Sequence, residues 1–420
     1  MRVLIVNTAE RTGGAAIAAN RLLQALNRNG AEARMLVRDR KTDARDVDHI
    51  TPSWRLKANF LWERGIIWLN NGLSKQNLFQ VDIANAGTDI TTMDVFRQAD
   101  VIHLHWINQG FLSLRGLGRI LSSGKPVVMT MHDQWYFTGI CHYSGECSKY
   151  QSQCAGCPMV KGVGVDLARR VFDRKRAIYK GRNLTFVGCS RWMADLARQG
   201  VLTQGHTVTN IPNAIDTDVF SPQNKADARR QHQLPMDKKL LLFGAQRITD
   251  ERKGFRYMAE ACDILVKENP TLATQLGIVV LGGDAESVKQ ALPIPVYPVN
   301  YLSHEHEIAA LYNAVDLFVT PSLQDNLPNT IVEAMSCGTP CVGFNVGGIP
   351  EMIDHKQNGY VANYCDSKDL ASGIVWCLDE KQHPSLSKNA NEKALATYSE
   401  VAVAHRYIEV YKEAISRSSR

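Results

Sequence analysis

At 420 residues the chain is too long for one compact core of ordinary size, and two domains are expected. Its 45% hydrophobic and 21% charged residues are the composition of neither a disordered chain nor a membrane protein, and no run reaches the roughly 18 uninterrupted apolar residues a spanning helix requires. The net charge of +6 is not gathered into one basic tract, so it suits an anionic ligand or a weak hold on acidic lipid and does not argue for nucleic acid.

The opening residues, MRVLIVNTAE, read as a strand and not a signal sequence, because no apolar core and cleavage site follow. A cytoplasmic location is expected, and the ten cysteines are read as thiols or metal ligands before disulfides. Arg2 to Asn7 is a buried strand, followed by a loop with Thr12, Gly13 and Gly14 and a helix from Ala15 to Asn29. Strand, glycine loop and helix make a phosphate-facing layout, although this one is not GxGxxG and a tight turn without a ligand reads equally well. Ala33 to Val37 is the second strand. From Trp54 to Leu73, Ala58, Leu61, Trp62, Gly65, Ile66 and Leu69 follow helical spacing, with three tryptophans and the basic Arg55, Lys57 and Arg64. Such a helix suits a membrane interface, while packing of the aromatic side on the domain is the commoner fate.

Val101 to Trp106 is a strand that carries His103 and His105 on one side. Hydrogen-bonded histidines beside a pocket fit better than zinc ligands, since no third ligand stands nearby. Pro126 to Met131 is the next strand, and His132 and Asp133 stand at its carboxyl end, where an open sheet places its chemistry. Cys141, Cys147, Cys154 and Cys157, with His142 adjacent, then form a cluster that reads as a tetrahedral structural zinc site, with redox pairing or free thiols as alternatives. The helix expected from Val163 to Lys180 carries Arg169, Arg170, Arg174, Lys175, Arg176 and Lys180. That face fits a lipid pyrophosphate or an anionic bilayer, and a solvated charged face is the more frequent explanation. Leu184 to Cys189 and Thr207 to Ile211 complete a first sheet, with Arg191 to Arg198 helical between them, and Pro222 to Lys239 has the polar, proline-bounded texture of a linker.

A second alternation begins with the strand Lys239 to Phe243 and the loop GAQRITDERKGF, in which Arg247 and Lys253 precede a helix from Phe255 to Lys267. Two fixed cations before a helix start can neutralise a diphosphate. Strands at Ile278 to Leu281 and Val296 to Val299, and a helix from Glu305 to Ala314, lead to the run TPSLQDNLPNTIVEAMSCGTPCVGFNVGGIPEM. There a strand from Asp316 to Thr320, a helix from Asn329 to Cys337 ended by Gly338, and a strand from Pro340 to Phe344 bring helix starts and strand ends together. Asp325 lies before the helix and Glu333 inside it, and paired carboxylates are suited to the vicinal hydroxyls of a sugar or a ribose. A short strand after Gly359, a helix from Ser367 to Leu378 and an amphipathic segment from Ser399 to Ser416 close the chain.

This run resembles the donor-site signature of family 4 (group 1) glycosyltransferases, two glutamates with seven residues between them followed by an alanine-rich helix and GTP, with Asp325 in place of the first glutamate. The cysteine-rich loop is similar to that of a subset that includes exopolysaccharide-type transferases. The resemblance implies the GT-B fold, two Rossmann-like doubly wound domains facing across a cleft. It divides the chain into an acceptor-side domain, residues 1–213, with a cysteine-rich loop at 134–160; a linker, 214–238; a nucleotide-sugar domain, 239–398; and a terminal helix, 399–420, that crosses back. It implies a retaining transferase that moves a hexosyl group from a nucleotide-diphosphate sugar to a glycan or lipid-linked acceptor in polysaccharide biosynthesis, with no cofactor for catalysis. In that scheme Arg247 and Lys253 hold the diphosphate, Glu333 the ribose, and Asp325 with His132 the transferring sugar, with Gly14, Asn326 and Leu327 at the donor. Asp325 keeps the charge one methylene shorter, which bears on the choice of sugar. A binding protein with an inactive donor site is the alternative, and an NAD-dependent oxidoreductase lacks both the GxGxxG opening and the acid about 20 residues beyond it.

Overall fold

Runs of apolar, β-branched residues alternating with helices leave both faces of the central strands covered, and the result is two parallel sheets. The computed structural model describes residues 1–245, 248 and 250–418. It divides into two units: Met1–Asn213 together with the chain from Val403 onwards, and Ala214–Ala402.

The first unit holds β1 (Arg2–Ala9), β2 (Glu32–Asp39), β3 (Val47–His49), β4 (Val101–Leu104), β5 (Val127–Met131), β6 (Thr185–Gly188) and β7 (Thr207–Asn210) in the order β3-β2-β1-β4-β5-β6-β7. Val3 to Val6 pair with Ala33 to Leu36 on one side and with Val101 to Leu104 on the other. The strand order therefore reverses at β1 and β4, and the segments beyond their carboxyl ends part there, as in other doubly wound sheets that bind ligands at this edge. The terminal helix Glu400–Ser418 packs on this sheet: Tyr407 Oη lies 2.9 Å from Thr130 Oγ1 and Tyr411 Oη 2.7 Å from His103 Nδ1.

The second unit holds β8 (Lys239–Gly244), β9 (Leu276–Leu281), β10 (Val296–Val299), β11 (Leu317–Thr320), β12 (Cys341–Phe344) and β13 (Gly359–Ala362) in the order β10-β9-β8-β11-β12-β13. Here the reversal falls between β8 and β11. Lys253 follows the first of those strands and Asp325 lies in the loop after the second, with Glu333 in the helix beyond it.

Several expectations are corrected. The stretch expected as a linker contains a helix, Lys225–Gln231, whose Arg229 is buried and donates to Asp316 Oδ2 at 2.8 Å and to the Ala314 carbonyl at 2.9 Å. Asp316 also accepts from Lys225 and the Leu240 N–H, so a polar sequence is fastened to the second sheet by charge as well as by the buried Ala228 and Leu234. The helix expected from Val163 starts at Leu167, because Gly164 takes φ +83° and Asp166 caps the helix by accepting from the Arg169 N–H. Lys175, expected on the basic face of that helix, is fully buried: its ammonium lies 3.5 Å from the Trp135 ring centroid and donates to the carbonyls of Trp135, Thr138 and Gly139. The short edge strand β3 had no pattern to betray it, being three residues long.

Candidate functional site

The loops at the reversal of the second sheet are pressed together backbone to backbone. A side chain at Gly254 would meet the Pro321 carbonyl oxygen at 1.9 Å, and one at Gly347 the Asp325 carbonyl oxygen at 1.8 Å. Both glycines also have positive φ, +70° and +58°, which L side chains rarely adopt. The Leu323 N–H donates to the Arg252 carbonyl at 2.7 Å, joining the loop after β11 to the short 3-10 turn Glu251–Lys253. Side chains from sequence positions far apart are thereby fixed at one edge.

Lys253 Nζ and Asp325 Oδ2 are 2.8 Å apart, with Asp325 the more buried of the two. The following helix, Asn329–Ser336, starts after Pro328 with neither a side-chain cap nor an acid in its first turn, so its end of the macrodipole is not offset by its own residues. Glu333, in that helix, is buried and accepts from Tyr312 Oη at 3.1 Å, while desolvation and the nearby carboxylate hold the Tyr312 phenol far above its ordinary range. Asn326 and Leu327 are buried between Asp325 and the helix. The structure thus joins Lys253 to Asp325 and places Glu333 inside the helix that follows the Asp325 loop. Arg247 lies outside the described residues. A cation paired with a carboxylate, beside a helix start and a second carboxylate, has the groups needed to hold a diphosphate and adjacent hydroxyls.

In the first unit His132, just beyond β5, is half-buried. Its Nε2 lies 2.8 Å from His105 Nδ1 and its Nδ1 lies 3.4 Å from Cys189 Sγ. Burial depresses the His132 imidazole to about 4, against a smaller opposing pull from Asp133, and depresses His103 to about 3, so these rings are neutral at physiological pH. His103 and His105 are hydrogen-bonded as the non-metal reading expects, His103 through Thr130 and Tyr411. Gly14 opens the helix Gly14–Arg28 after Gly13, whose φ of +90° needs glycine.

Next to His132 stands a buried charged chain that the sequence did not reveal. His142 bridges two carboxylates, with Nδ1 2.6 Å from Asp133 Oδ2 and Nε2 2.6 Å from Asp82 Oδ2. Arg64 donates to Asp82 and to the Leu78 and Val81 carbonyls, and Trp106 Nε1 donates to Asp133 at 2.9 Å. Burial works against a charged His142, but the Asp133 and Asp82 carboxylates outweigh it and raise the ring to about 10. The only signal in the sequence was the adjacency of His142 to Cys141, since its partners Asp82 and Arg64 are distant in the chain.

Cys141, Cys147, Cys154 and Cys157 are all free thiols. Burial pushes Cys141 up to about 12 and Cys154 up to about 11, and Cys154 Sγ accepts from the Gly139 N–H at 3.2 Å. Among the described residues no three His, Cys, Asp or Glu side chains are grouped as ligands for a metal ion. A shallow surface pocket lined by Ile264, Ala371, Val375 and Trp376 involves none of the strand-end loops. Among the described residues no helix is long and apolar enough to cross a membrane.

Comparison with known proteins gives these features a context. The family model described as Glycosyltransferase Family 4 matches residues 12–219, and that described as Glycosyl transferases group 1 matches residues 237–380. D-inositol 3-phosphate glycosyltransferase of Thermobispora bispora is 28% identical over 76% of this chain and 72% of its own length. An N,N'-diacetylbacillosaminyl-diphospho-undecaprenol alpha-1,3-N-acetylgalactosaminyltransferase of Campylobacter jejuni is 36% identical over 28% of this chain, and a UDP-Gal:alpha-D-GlcNAc-diphosphoundecaprenol alpha-1,3-galactosyltransferase of Escherichia coli is 25% identical over 49%. The chain spans 31% of the Campylobacter protein's length and 54% of the Escherichia protein's. Among solved structures, sucrose-phosphate synthase of Thermosynechococcus elongatus aligns over 99% of this chain and 100% of its own with a TM-score of 0.69 at 19% identity. Anabaena HepE in complex with UDP and glucose aligns over 98% of this chain and 100% of its own with a TM-score of 0.64 at 16% identity. With two parallel Rossmann-like sheets of seven and six strands, and with the two family matches together spanning most of its length, the chain belongs to the family 4, group 1 glycosyltransferases and has the GT-B fold.

Proposed function

We propose that this glycosyltransferase moves a hexosyl group from a nucleotide-diphosphate sugar to a glycan or lipid-linked saccharide, with retention of configuration, in polysaccharide biosynthesis. The observation that carries the reading is the Lys253–Asp325 pair at the reversal of the second sheet, in the loop that leads to an uncapped helix start, with Glu333 inside that helix. The Campylobacter and Escherichia relatives, named for diphospho-undecaprenol acceptors, support the lipid-linked class, and the HepE complex supports a uridine nucleotide.

In this mechanism the helix start at Asn329 and Lys253, with Arg247, take the diphosphate, so that negative charge on the departing phosphate oxygen meets fixed cations. Glu333 accepts from the ribose hydroxyls. Asp325 accepts from the sugar and, by its pairing with Lys253, ties sugar position to phosphate position. The acceptor hydroxyl attacks from the face the leaving group vacates and gives its proton to the phosphate oxygen, so no protein base is required. His132, neutral, orients the sugar, and to do so it exchanges its hydrogen bond with His105 for one to a hydroxyl. No cofactor takes part. A structural zinc ion on Cys141, Cys147, Cys154 and Cys157 belongs to the proposal as a staple of the loop only, and it requires the loop to draw the sulfurs together. Elemental analysis tests it: one metal per chain supports the staple, and a metal-free, stable protein removes it. A cytoplasmic location is part of the same proposal.

The test of the whole reading is product analysis with UDP-, GDP- and ADP-sugars and a lipid-linked acceptor. Transfer from one donor supports it. Donor binding without transfer to any acceptor favours the non-catalytic alternative.

A further inference from the structure

The helix Trp54–Asn70 buries Ile67 and packs Leu56 and Ile66 on the core, yet it turns its three tryptophans and two leucines outward. Trp54, Leu61, Trp62 and Leu69 are 75%, 65%, 62% and 55% exposed, while Glu63, Arg64 and Asn70 are buried. Spacings of seven, eight and fifteen residues from Trp54 put Leu61, Trp62 and Leu69 on one helical face, together with Trp68 and the exposed Arg55 and Lys57. The far side is held by the buried Ile67 and by Glu63, which accepts from the Ile83 and Ala84 N–H groups at 2.9 and 2.6 Å, while Arg64 on the flank reaches Asp82 and two carbonyls. An apolar stripe that merely happened to be exposed would not be backed by buried charges that fix the helix this way up.

The patch continues beyond the helix. Segment Met159–Val165 lies along Asn70–Asn77, with Asn70 Nδ2 donating to the Val163 and Val165 carbonyls at 3.0 and 2.6 Å and Asn77 Nδ2 to the Met159 carbonyl at 3.1 Å. It adds the exposed Val163 and Val165, and the chain after the helix adds Leu73 and Phe79, both exposed. Across residues 54–80 and 159–165 the one acidic residue is Glu63, which is buried, while Arg55, Lys57, Lys75 and Lys161 are exposed.

We infer that this face of the first unit lies on an anionic lipid surface, with the tryptophans and leucines in the acyl boundary and the lysines and Arg55 at the headgroups. Tryptophan flanked by unopposed basic residues is matched to that boundary. A second copy is a poorer occupant, because a two-fold contact would set this patch against itself and bring the same cations together. The inference goes beyond sugar transfer, and its readout is lipid binding rather than turnover. It also has a structural sequel: Arg64 links the helix through Asp82, His142 and Asp133 to the strand end that bears His132, so the lipid-facing helix and the proposed sugar-orienting residue belong to one buried polar chain.

The experiment is co-sedimentation of the full chain with vesicles of phosphatidylcholine alone or mixed with phosphatidylglycerol, at low and high salt. The chain is expected on the mixed vesicles, with binding that falls as salt rises. The pair Trp62→Gln with Leu69→Gln should weaken partition by about tenfold or more, and Lys57→Gln by roughly fivefold on the mixed vesicles with little change on the neutral ones. Both variants replace exposed side chains, and an unchanged melting temperature confirms that they fold. Failure of the chain to bind mixed vesicles, or binding that the Trp62 and Leu69 variant leaves intact, overturns the inference. So does a dimer by light scattering that the same variant dissociates, since the face would then be covered by a second copy.

Discussion

Lys253 and Asp325 neutralise one another across 2.8 Å while partly open to solvent, so the pair contributes less than about 1 kcal/mol to folding and its charges are available to a ligand. Lys253→Ala should lower turnover by about a hundredfold or more while moving the unfolding midpoint little, and steady-state kinetics beside urea titration checks both. An equal loss of stability and turnover would make the pair structural. His142 is the opposite kind of residue, buried and charged between Asp133 and Asp82. Its folded pKa of about 10 lies above the ordinary histidine value, so its contribution to stability is complete below about pH 6.5 and is lost as pH rises through about 10. His142→Gln leaves two buried carboxylates short of their shared cation, at a cost of about 3 kcal/mol. It should also remove that alkaline loss. Unfolding free energies between pH 6 and 10 for both proteins decide it, and parallel curves would deny the imidazolium. His132 and His103 run the other way: burial lowers them, so they penalise the fold as pH falls from about 6.5 towards about 4 for His132 and about 3 for His103.

The strands were legible because burial on both faces leaves an unbroken apolar signature, as in Val101 to Leu104 and Leu276 to Val280. Lys253 and Asp325 were legible because they sit in the segments that follow such strands, and Glu333 because it lies in the helix that comes next. What the sequence hid depends on distant partners. Lys175 reads as one more cation on a basic helix, yet three carbonyls and Trp135 take it inside. Arg229 and Asp316 turn a polar linker into part of the second unit. The periodicity of residues 54–73 located a helix correctly but could not say which face was buried, because Glu63 and Arg64 find partners only at residues 78–84. At the level of loops, Gly347→Ala should cost more than about 1 kcal/mol and also depress turnover, because the added methyl overlaps the Asp325 backbone. Gly30→Ala shares a positive φ, +92°, but meets nothing within 4 Å, so it should cost stability alone. Melting curves and rates for the two variants separate the effects, and identical rates would free the Asp325 loop from its proposed role.

Across the whole molecule, the same doubly wound plan is used twice for different ends. The second unit gathers a cation, two carboxylates and an uncapped helix start at the reversal of its sheet, and the first gathers neutral histidines and a buried charged chain beside the end of β5. The cation and carboxylates of the second unit suit an activated diphosphate, and the neutral histidines of the first suit sugar hydroxyls, beside a chain whose charges are paired among themselves. The measurement that bears most directly on this division is calorimetric titration of UDP-, GDP- and ADP-sugars into the intact protein and into Lys253→Ala. One nucleotide sugar should bind the intact protein and bind the variant at least tenfold more weakly, whereas no binding by any donor, or equal binding to both proteins, would contradict the placing of the activated sugar at Lys253 and Asp325.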